Sequence, residues 1–540
     1  MKRILMVAAE NGALEGAKVG GMADVIRDLP EALAEVDICT DVIMPSYGFL
    51  ASQSSKAQDL GEFEVSFGGR TEKVCLFVIP HPKVEGANIY LLEDRLWLST
   101  PGKIYSQGSA ERPFADDATK FAFLSVCVAQ ALVTSRIPMP TVLHLHDWHA
   151  GFLAMLRAFV PEFSALKSIA CVYSIHNLAL QGTRPLSHDS SSLAAWFPEL
   201  FASLQPEQKQ AIVDPRYPHC INPMRIGIVL SDKVHLVSPT YAKEVLLPSD
   251  PKAGFFGGEG LEQDLQTKAE QGKVFGILNG CTYPDIKQAK AIAQSLARIQ
   301  EDDFKKLLIT IEAALVLWQG NKTQVSAVDM MAFVRIQAHW RQASLGRVPD
   351  LLLTSVGRLT DQKVLILRHL LPSGLSVLET LLQALQQAQP NALFILLGSG
   401  DASIAEFFQT LAAKYTNFLF LQGYHEALSE CLYQFGDLFV MPSSFEPCGI
   451  SQMLAMRAGQ PCLVHGVGGL KDTVRDGIDG FVFNGNSLTA QGEAFLQRFT
   501  EAMASFERGD WPIIRAAAIA QRFDWHSVAQ VYRDQLYNNL

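Results

Sequence analysis

Short apolar runs rich in Val, Ile, Leu and Phe recur along this chain, and longer runs of helical periodicity separate them. In the first half the apolar runs are Ile4–Ala8, Thr40–Pro45, Val74–Ile79, Ile89–Leu92, Val142–His144 and Ala170–Ser174. In the second half they are Leu351–Val356, Leu393–Leu397, Phe418–Leu421, Leu438–Met441 and Cys462–Val464. Helical patterns such as Ala23–Ala34, Ala115–Val133 and Ser376–Ala388 lie between them. This alternation predicts parallel sheets with crossover helices, the doubly wound α/β class, because a strand that returns parallel to its neighbour needs a long connection. Two such series, before and after about residue 280, predict two Rossmann-like domains facing a central cleft. At 540 residues the chain also exceeds what one ordinary core covers.

The stretch 284–346 interrupts the alternation. It is helical in pattern, rich in Ala, Gln, Lys and Leu, and carries Trp318 and Trp340. It reads as added helices at the start of the second domain.

Composition excludes several function classes. A net charge of −10 argues against a general binder of nucleic acid or of a membrane surface, while leaving room for a local basic pocket. Nine cysteines stand singly, without a CxxC pair or metal-type Cys/His spacing, which predicts reduced thiols in a cytoplasmic setting. The opening MKRILMVAAENG reads as a first buried strand, since no cleavage region of a signal peptide follows it. No run is long enough to span a bilayer.

Five stretches could carry chemistry. In AKVGGMADVIRDLP, residues 17–30, the Gly20–Gly21 pair passes into a helix with Lys18 beside it. A phosphate site at the helix start and a plain tight turn with a solvated lysine are both open there. In VLHLHDWHAG, residues 142–151, three histidines and an aspartate follow a strand, but without the spacing of a zinc motif. His144 and His146 read as structural histidines, and Asp147 stays a candidate because ligands of open α/β sheets bind beyond the carboxyl ends of strands. In YSIHNLALQG, residues 173–182, His176 and Asn177 sit just past another strand, and structural and functional roles for His176 are evenly balanced. In SVGRLTDQK, residues 355–363, Arg358 and Lys363 flank a turn where two cations can neutralise a diphosphate leaving group. In residues 442–474, Glu446 stands in an apolar, proline-flanked loop ahead of Cys448 and Gly449. Farther along that stretch, Gly468–Gly469 opens a helix at Leu470 and offers N–H groups to a phosphate. Cys448 reads as a small packing residue.

Taken in order, these stretches resemble the bacterial glycogen synthase and plant starch synthase family. KVGGMADV at 18–25, HDWHAG at 146–151, IHNLALQG at 175–182 and VSPTYAKEV at 237–245 carry the likeness through the first half. GILNG at 276–280, RLTDQK at 358–363, LLGSGD at 396–401, GYHEALSE at 423–430, FEPCGISQ at 445–452 and GGLKDTV at 468–474 extend it through the second. The resemblance implies a GT-B fold, with residues 1–279 as the acceptor-side domain and 280–523 as the nucleotide-sugar domain. It also implies that the C-terminal helix, FDWHSVAQVYRDQL at 523–536, crosses back so that 524–540 joins the first domain.

The resemblance further implies roles. Lys18, Gly20 and Gly21 contact the nucleotide sugar, Asp147 and His176 line the donor glucose pocket, and Asn279 sits at the domain junction. Arg358 and Lys363 hold the diphosphate, and Tyr424 stacks near the base. Glu446, Cys448 and Gly449 face the glucose, Gly468, Gly469 and Leu470 face its phosphates, and Tyr105 and Asp116 line the acceptor side. The implied reaction is transfer of glucose, with retention, from ADP-glucose to the non-reducing end of an α-1,4-glucan, without a metal or other cofactor. A nucleotide sugar and an α-glucan are thus the implied partners.

The chain departs from the family pattern at four places. Ser444 replaces an arginine before the Phe-Glu pair, Val364 replaces a glycine after the Gln-Lys pair, and Val467 replaces a threonine before the second glycine pair. The Trp-Asn-Pro stretch expected after ILNG is replaced by the helical insert. Two other readings therefore stand beside the first: a related transferase using UDP-glucose or a small acceptor, and a non-catalytic glucan-binding paralogue.

Overall fold

The computed structural model describes residues 2–99, 103–106, 112–283 and 299–538. It divides into two compact units: Met1–Ser249, Gly257–Gly280 and Asp524–Leu540 in the first, Asp250–Phe256 and Cys281–Phe523 in the second. Residues 250–256, expected with the first domain, group with the second. There Asp250 and Phe255 bridge each other, and Gln491 Nε2 donates to Ala253 O at 3.0 Å.

The first unit is built on a nine-stranded sheet. In chain order its strands are β1 (Lys2–Val7), β2 (Ile38–Pro45), β3 (Gln58–Phe67), β4 (Arg70–Pro80), β5 (Asn88–Glu93), β6 (Val142–His146), β7 (Ala170–Ile175), β8 (Lys233–Leu236) and β9 (Val274–Gly276). Their order across the sheet is β9-β8-β7-β6-β1-β2-β5-β4-β3. The expectation of a wholly parallel sheet is corrected at one edge, where β4 runs antiparallel to both β5 and β3. A Gly68–Gly69 turn with φ of 59° and 72° makes this possible. Two left-handed residues in a row match the twist of a tight hairpin. β3 also alternates, with Phe63, Val65 and Phe67 buried and their neighbours facing outward.

The second unit holds a six-stranded, all-parallel sheet. Its strands are β10 (Leu352–Val356), β11 (Leu393–Gly398), β12 (Phe418–Gln422), β13 (Leu438–Met441), β14 (Cys462–His465) and β15 (Gly480–Phe483), ordered β12-β11-β10-β13-β14-β15. Side chains alternate between its faces. Leu353, Phe394, Leu396, Phe418 and Phe420 join one core, and Leu352, Leu393, Ile395, Leu397, Leu419 and Leu421 the other. Helix Val377–Ala388 covers the first core with Val377, Leu378, Leu381, Leu382 and Leu385, and the Ser376 hydroxyl caps its start by accepting from Glu379 N.

The second core is covered by helices Glu301–Gly320 and Ala327–Ala343, through Phe304, Leu307, Leu308, Ile311, Leu315, Ala332 and Ile336. The stretch that breaks the sequence pattern is thus, over its described part, one of the layers that bury the sheet; residues 284–298 lie outside the described residues.

The chain then returns to the first unit. Helix Trp525–Val531, capped by Asp524, leads into a π-helical turn at Tyr532–Tyr537. Lys2 Nζ donates to Tyr537 O at 2.8 Å and Lys233 Nζ to Asn538 O at 2.9 Å, so two ammonium groups satisfy carbonyls at the helix end.

Candidate active site

Among the parallel strands of each sheet there is one place where chain direction across it reverses, and there the loops beyond the strands' carboxyl ends diverge and leave a crevice. In the first unit that place is between β1 and β6, since β2 flanks β1 on one side and β7 flanks β6 on the other. In the second it lies between β10 and β13.

At the first switch point, the loop after β1 carries Glu10, a lone acid that lies in none of the five sequence stretches above. Glu10 is 4 % exposed. Its Oε2 accepts from Val19 N at 2.8 Å and Gly20 N at 2.6 Å, and its Oε1 accepts from the Tyr105 hydroxyl at 2.7 Å. The Gly20 N–H expected to meet a nucleotide sugar thus donates to a carboxylate of the chain itself. Gly21 begins helix Gly21–Ala34, and Lys18 Nζ pairs with Asp24 Oδ1 at 2.7 Å in its first turn.

Asp147 starts helix Asp147–Phe159 directly after β6, with left-handed backbone at φ 54°. For a residue with a Cβ this costs about 1–2 kcal/mol, and such strain collects at functional sites. Its Oδ1 accepts from His176 N at 2.7 Å, which ties the end of β6 to the end of β7. Burial lifts the Asp147 carboxyl to about 7 against those stabilising N–H groups. His176 follows β7; burial, helped by the nearby His235, lowers its imidazole to about 3, so the ring is neutral.

The two structural histidines also have defined partners. His144 uses both nitrogens, on the Tyr537 hydroxyl (2.7 Å) and Ser174 Oγ (2.6 Å), and His146 Nδ1 meets His176 Nε2 at 2.9 Å.

Tyr105 belongs to this group through Glu10, and its ring lies 5.4 Å from that of His149. Burial and the adjacent Glu10 raise its phenol well above the ordinary value. Asp116 stands exposed in the first turn of helix Ala115–Val133. The next residue, Asp117, is the one that reaches the Tyr105 loop, accepting from Ser106 N at 2.9 Å and pairing with Lys120 at 3.1 Å. Lys120, 2 % exposed, also donates to Ile104 O at 2.8 Å. Asn279 is buried past β9, and its Oδ1 has no hydrogen-bond partner among the described residues.

At the second switch point, Lys363 sits in the first turn of helix Asp361–Arg368 and Glu446 in the loop after β13, and the two form an ion pair. Glu446 is 6 % exposed, and Ser443 Oγ donates to its Oε2 at 3.3 Å. Ser444 N donates to Gln362 O at 2.9 Å, so the backbone also joins the loops that carry the pair. The Arg358 side chain is exposed and has no hydrogen bond or ion pair among the described residues, while its carbonyl accepts from Thr360 N at 3.1 Å. Cys448 is buried, and Gly449 turns the loop at φ 75°.

The glycine pair after β14 behaves differently from the expectation. Gly469 N donates to Glu446 O at 3.1 Å and Leu470 N to Val467 O at 3.1 Å, so both N–H groups already have acceptors. A Cβ on Gly468 would lie 2.0 Å from Glu446 O, and one on Gly469 2.1 Å from Cys448 O. The pair therefore serves close approach of two backbones, and it supports the loop that holds Glu446. Tyr424 is 56 % exposed after β12, and its carbonyl accepts from Trp318 Nε1 at 3.1 Å. Among the described residues no group of three or more His, Cys, Asp or Glu is placed to hold a metal ion.

Two family descriptions match the chain. The starch synthase catalytic domain covers residues 3–267, and glycosyl transferases group 1 covers 342–502. A glycogen synthase of Streptococcus mutans serotype c is 29% identical over 550 residues, spanning 100% of both chains. A glycogen synthase of Francisella tularensis subsp. holarctica is 29% identical over 555 residues, spanning 100% of this chain and 99% of that one. Among solved structures, the catalytic domain of starch synthase IV from Arabidopsis thaliana, bound to ADP and acarbose, superposes with a TM-score of 0.72 at 25% identity. That likeness covers 99% of this chain and 98% of that one. Two Rossmann-like sheets, with a group 1 transferase domain in the second half, define a glycosyltransferase of GT-B fold. The chain belongs to the glycogen/starch synthase family.

Proposed function

We propose that this protein elongates α-1,4-glucan, transferring glucose with retention from ADP-glucose to a non-reducing end. The observation that carries the reading is end-to-end likeness to glycogen synthases, joined by the likeness to a starch synthase domain that holds ADP and acarbose. Binding of a nucleotide sugar and of a glucan is proposed on the same ground.

The second-unit residues suit the leaving group. Lys363 has three N–H donors, so it can keep Glu446 in place and still offer a hydrogen bond to a phosphate oxygen. Exposed Arg358 supplies a planar fork that matches phosphate oxygens two at a time. Positive charge at the diphosphate stabilises what develops as the glycosidic bond breaks, and this mechanism requires no metal step. The acceptor's 4-hydroxyl would attack from the face that the diphosphate leaves. Glu446, Cys448 and Gly449 are assigned to the glucose, Tyr424 to the base, and Asp147 and His176 to the sugar near its reacting carbon. Tyr105 and Asp116 are assigned to the acceptor. Free thiols at all nine cysteines support a reducing, cytoplasmic setting, and no helix among the described residues is long and apolar enough to cross a membrane.

The test is incubation with labelled ADP-glucose, and in parallel UDP-glucose, with a glycogen primer. Incorporation from ADP-glucose is expected. Incorporation from UDP-glucose alone would replace the donor, and primer binding without incorporation from either would overturn the enzymatic reading.

A further inference from the structure

His146 ends β6 immediately before Asp147, is fully buried, and has no part in the reaction described above. Its ring centre lies 4.2 Å from that of His144 and 5.2 Å from that of His176. Because His144 already uses both of its nitrogens, the one hydrogen bond open to His146 is the contact between its Nδ1 and His176 Nε2 at 2.9 Å. The Nε2 of His146 is buried and has no partner among the described residues. Burial keeps both rings neutral, well below the ordinary histidine value.

A neutral imidazole carries a single N–H, so one ring must supply the hydrogen between them. If His176 supplied it from Nε2, His146 Nδ1 would accept, and the proton of His146 would sit on Nε2 as a buried donor without an acceptor. If His146 supplies it from Nδ1, only a bare lone pair is left at its Nε2. Orphaned buried donors are rarer and costlier than unmet acceptors, so the second arrangement prevails. His176 then accepts at Nε2 and carries its own proton on Nδ1. That nitrogen has no partner among the described residues and is not among the buried unpaired atoms, so it faces solvent.

We propose that His146 is a positioning residue: its Nδ1–H fixes His176 as the Nδ1–H tautomer and so makes His176 a neutral hydrogen-bond donor to an oxygen of the transferred sugar. This rests on the proposed place of His176 beside that sugar. The opposite tautomer would present a bare lone pair there and would select for a donor on the ligand.

The test has a spectroscopic arm and a kinetic arm, both on the full chain. Long-range proton–nitrogen spectra of protein labelled with ¹⁵N-histidine distinguish the two tautomers, and a His176→Gln variant assigns the signal. The unaltered protein should show His176 as Nδ1–H, and His146→Phe should shift it to the other tautomer or to a mixture. In glucan elongation, His146→Asn places an amide N–H where the Nδ1–H stood. It should keep kcat/KM for the donor within about threefold, while His146→Phe loses about tenfold, the scale of one hydrogen bond.

An Nε2–H signal for His176 in the unaltered protein would overturn the proposal, and so would equal loss in the Asn and Phe variants in step with melting temperature. The spectrum needs no turnover. Absence of glucan incorporation by the unaltered protein would therefore sink the proposed function, and the tautomer would still be decided by its own measurement.

Discussion

The two units carry their candidate groups at the same topological place, yet with opposite electrostatic character. In the first, the histidines and Asp147 at the ends of β6 and β7 are largely neutral, though charged Glu10 and Lys18 stand nearby: burial lowers His144, His146 and His176 and lifts the Asp147 carboxyl to about 7. In the second the groups are ions, with Lys363 paired to Glu446 and Arg358 standing exposed. The sheet decides where a ligand can bind. Under the proposed function, what the loops bury or leave wet would decide which ligand chemistry is met, neutral hydroxyls in one case and phosphate charge in the other.

Acid should separate the units first. His149, His176 and His235 are held at about 3, 3 and 4 by burial, and His144 and His146 lie well below their usual value. Folded values below the unfolded one mean stability that is full above about pH 6.5 and is lost as pH falls toward the folded values, at roughly 1.4 kcal/mol per pH unit for each histidine. The second unit has His465 and His339 of this kind. Hydrogen exchange followed from pH 7 to pH 4.5 should therefore open β6, β7 and β8 before the second sheet, and simultaneous opening would break the comparison.

Removal of a charge should matter most in the second unit. Lys363→Ala and Glu446→Ala should each lower kcat on the order of 10²–10³-fold while the chain stays folded. Glu446→Ala also leaves Lys363 without its partner, so it should melt below the double variant, which strands no charge. Near-normal turnover in either single variant would remove that residue from the site.

Asp147→Asn probes the neutral side. A raised carboxyl favours the folded state below its unfolded value, near 4, and that advantage is lost as pH rises through about 7. Asparagine escapes the penalty and tolerates left-handed backbone. The variant should gain stability over the unaltered protein as pH goes from 6 to 8, by about 1–1.5 kcal/mol, read from thermal melts. A pH-independent difference would mean that Asp147 is charged throughout.

The smallest effect should come from Arg358→Ala. With no partner to lose, its stability should change by less than about 0.5 kcal/mol, while KM for the sugar nucleotide rises about tenfold. A drop in kcat with unchanged KM would place Arg358 on the transition state instead.

Much of the fold was legible because its signals are local. The Ser376 cap and the Val377, Leu378, Leu381, Leu382 spacing mark a helix, and Leu438–Met441 is a strand with the bounds its apolar run gives. β3 was not read, although Phe63, Val65 and Phe67 alternate ahead of Gly68–Gly69, because its polar outward face sets it apart from the continuous apolar runs of the buried strands. Glu10 could not be found, because a lone acid in a loop has no pattern and its meaning comes from Tyr105, ninety-five positions away. Asp116 and Asp117 illustrate the same limit: neighbours on a helix point about 100° apart, and only packing shows which one faces the Tyr105 loop. At Gly468–Gly469 the residue type was a true signal with two explanations, N–H groups offered to a ligand or backbones brought close, and only the distance to Glu446 O separates them.

The return of residues 524–538 to the first unit has a consequence for how the protein is made. Tyr537 completes the His144 contact, and Lys2 and Lys233 close on carbonyls of Tyr537 and Asn538. The first unit's sheet emerges from the ribosome early, but these partners follow only after the whole second unit. At about 5–20 residues per second, roughly 240 intervening residues impose a wait on the order of ten to fifty seconds. During that interval the nascent first unit holds an uncovered polar seam at β6 and β8, the state in which a chaperone or a stalled chain would meet it.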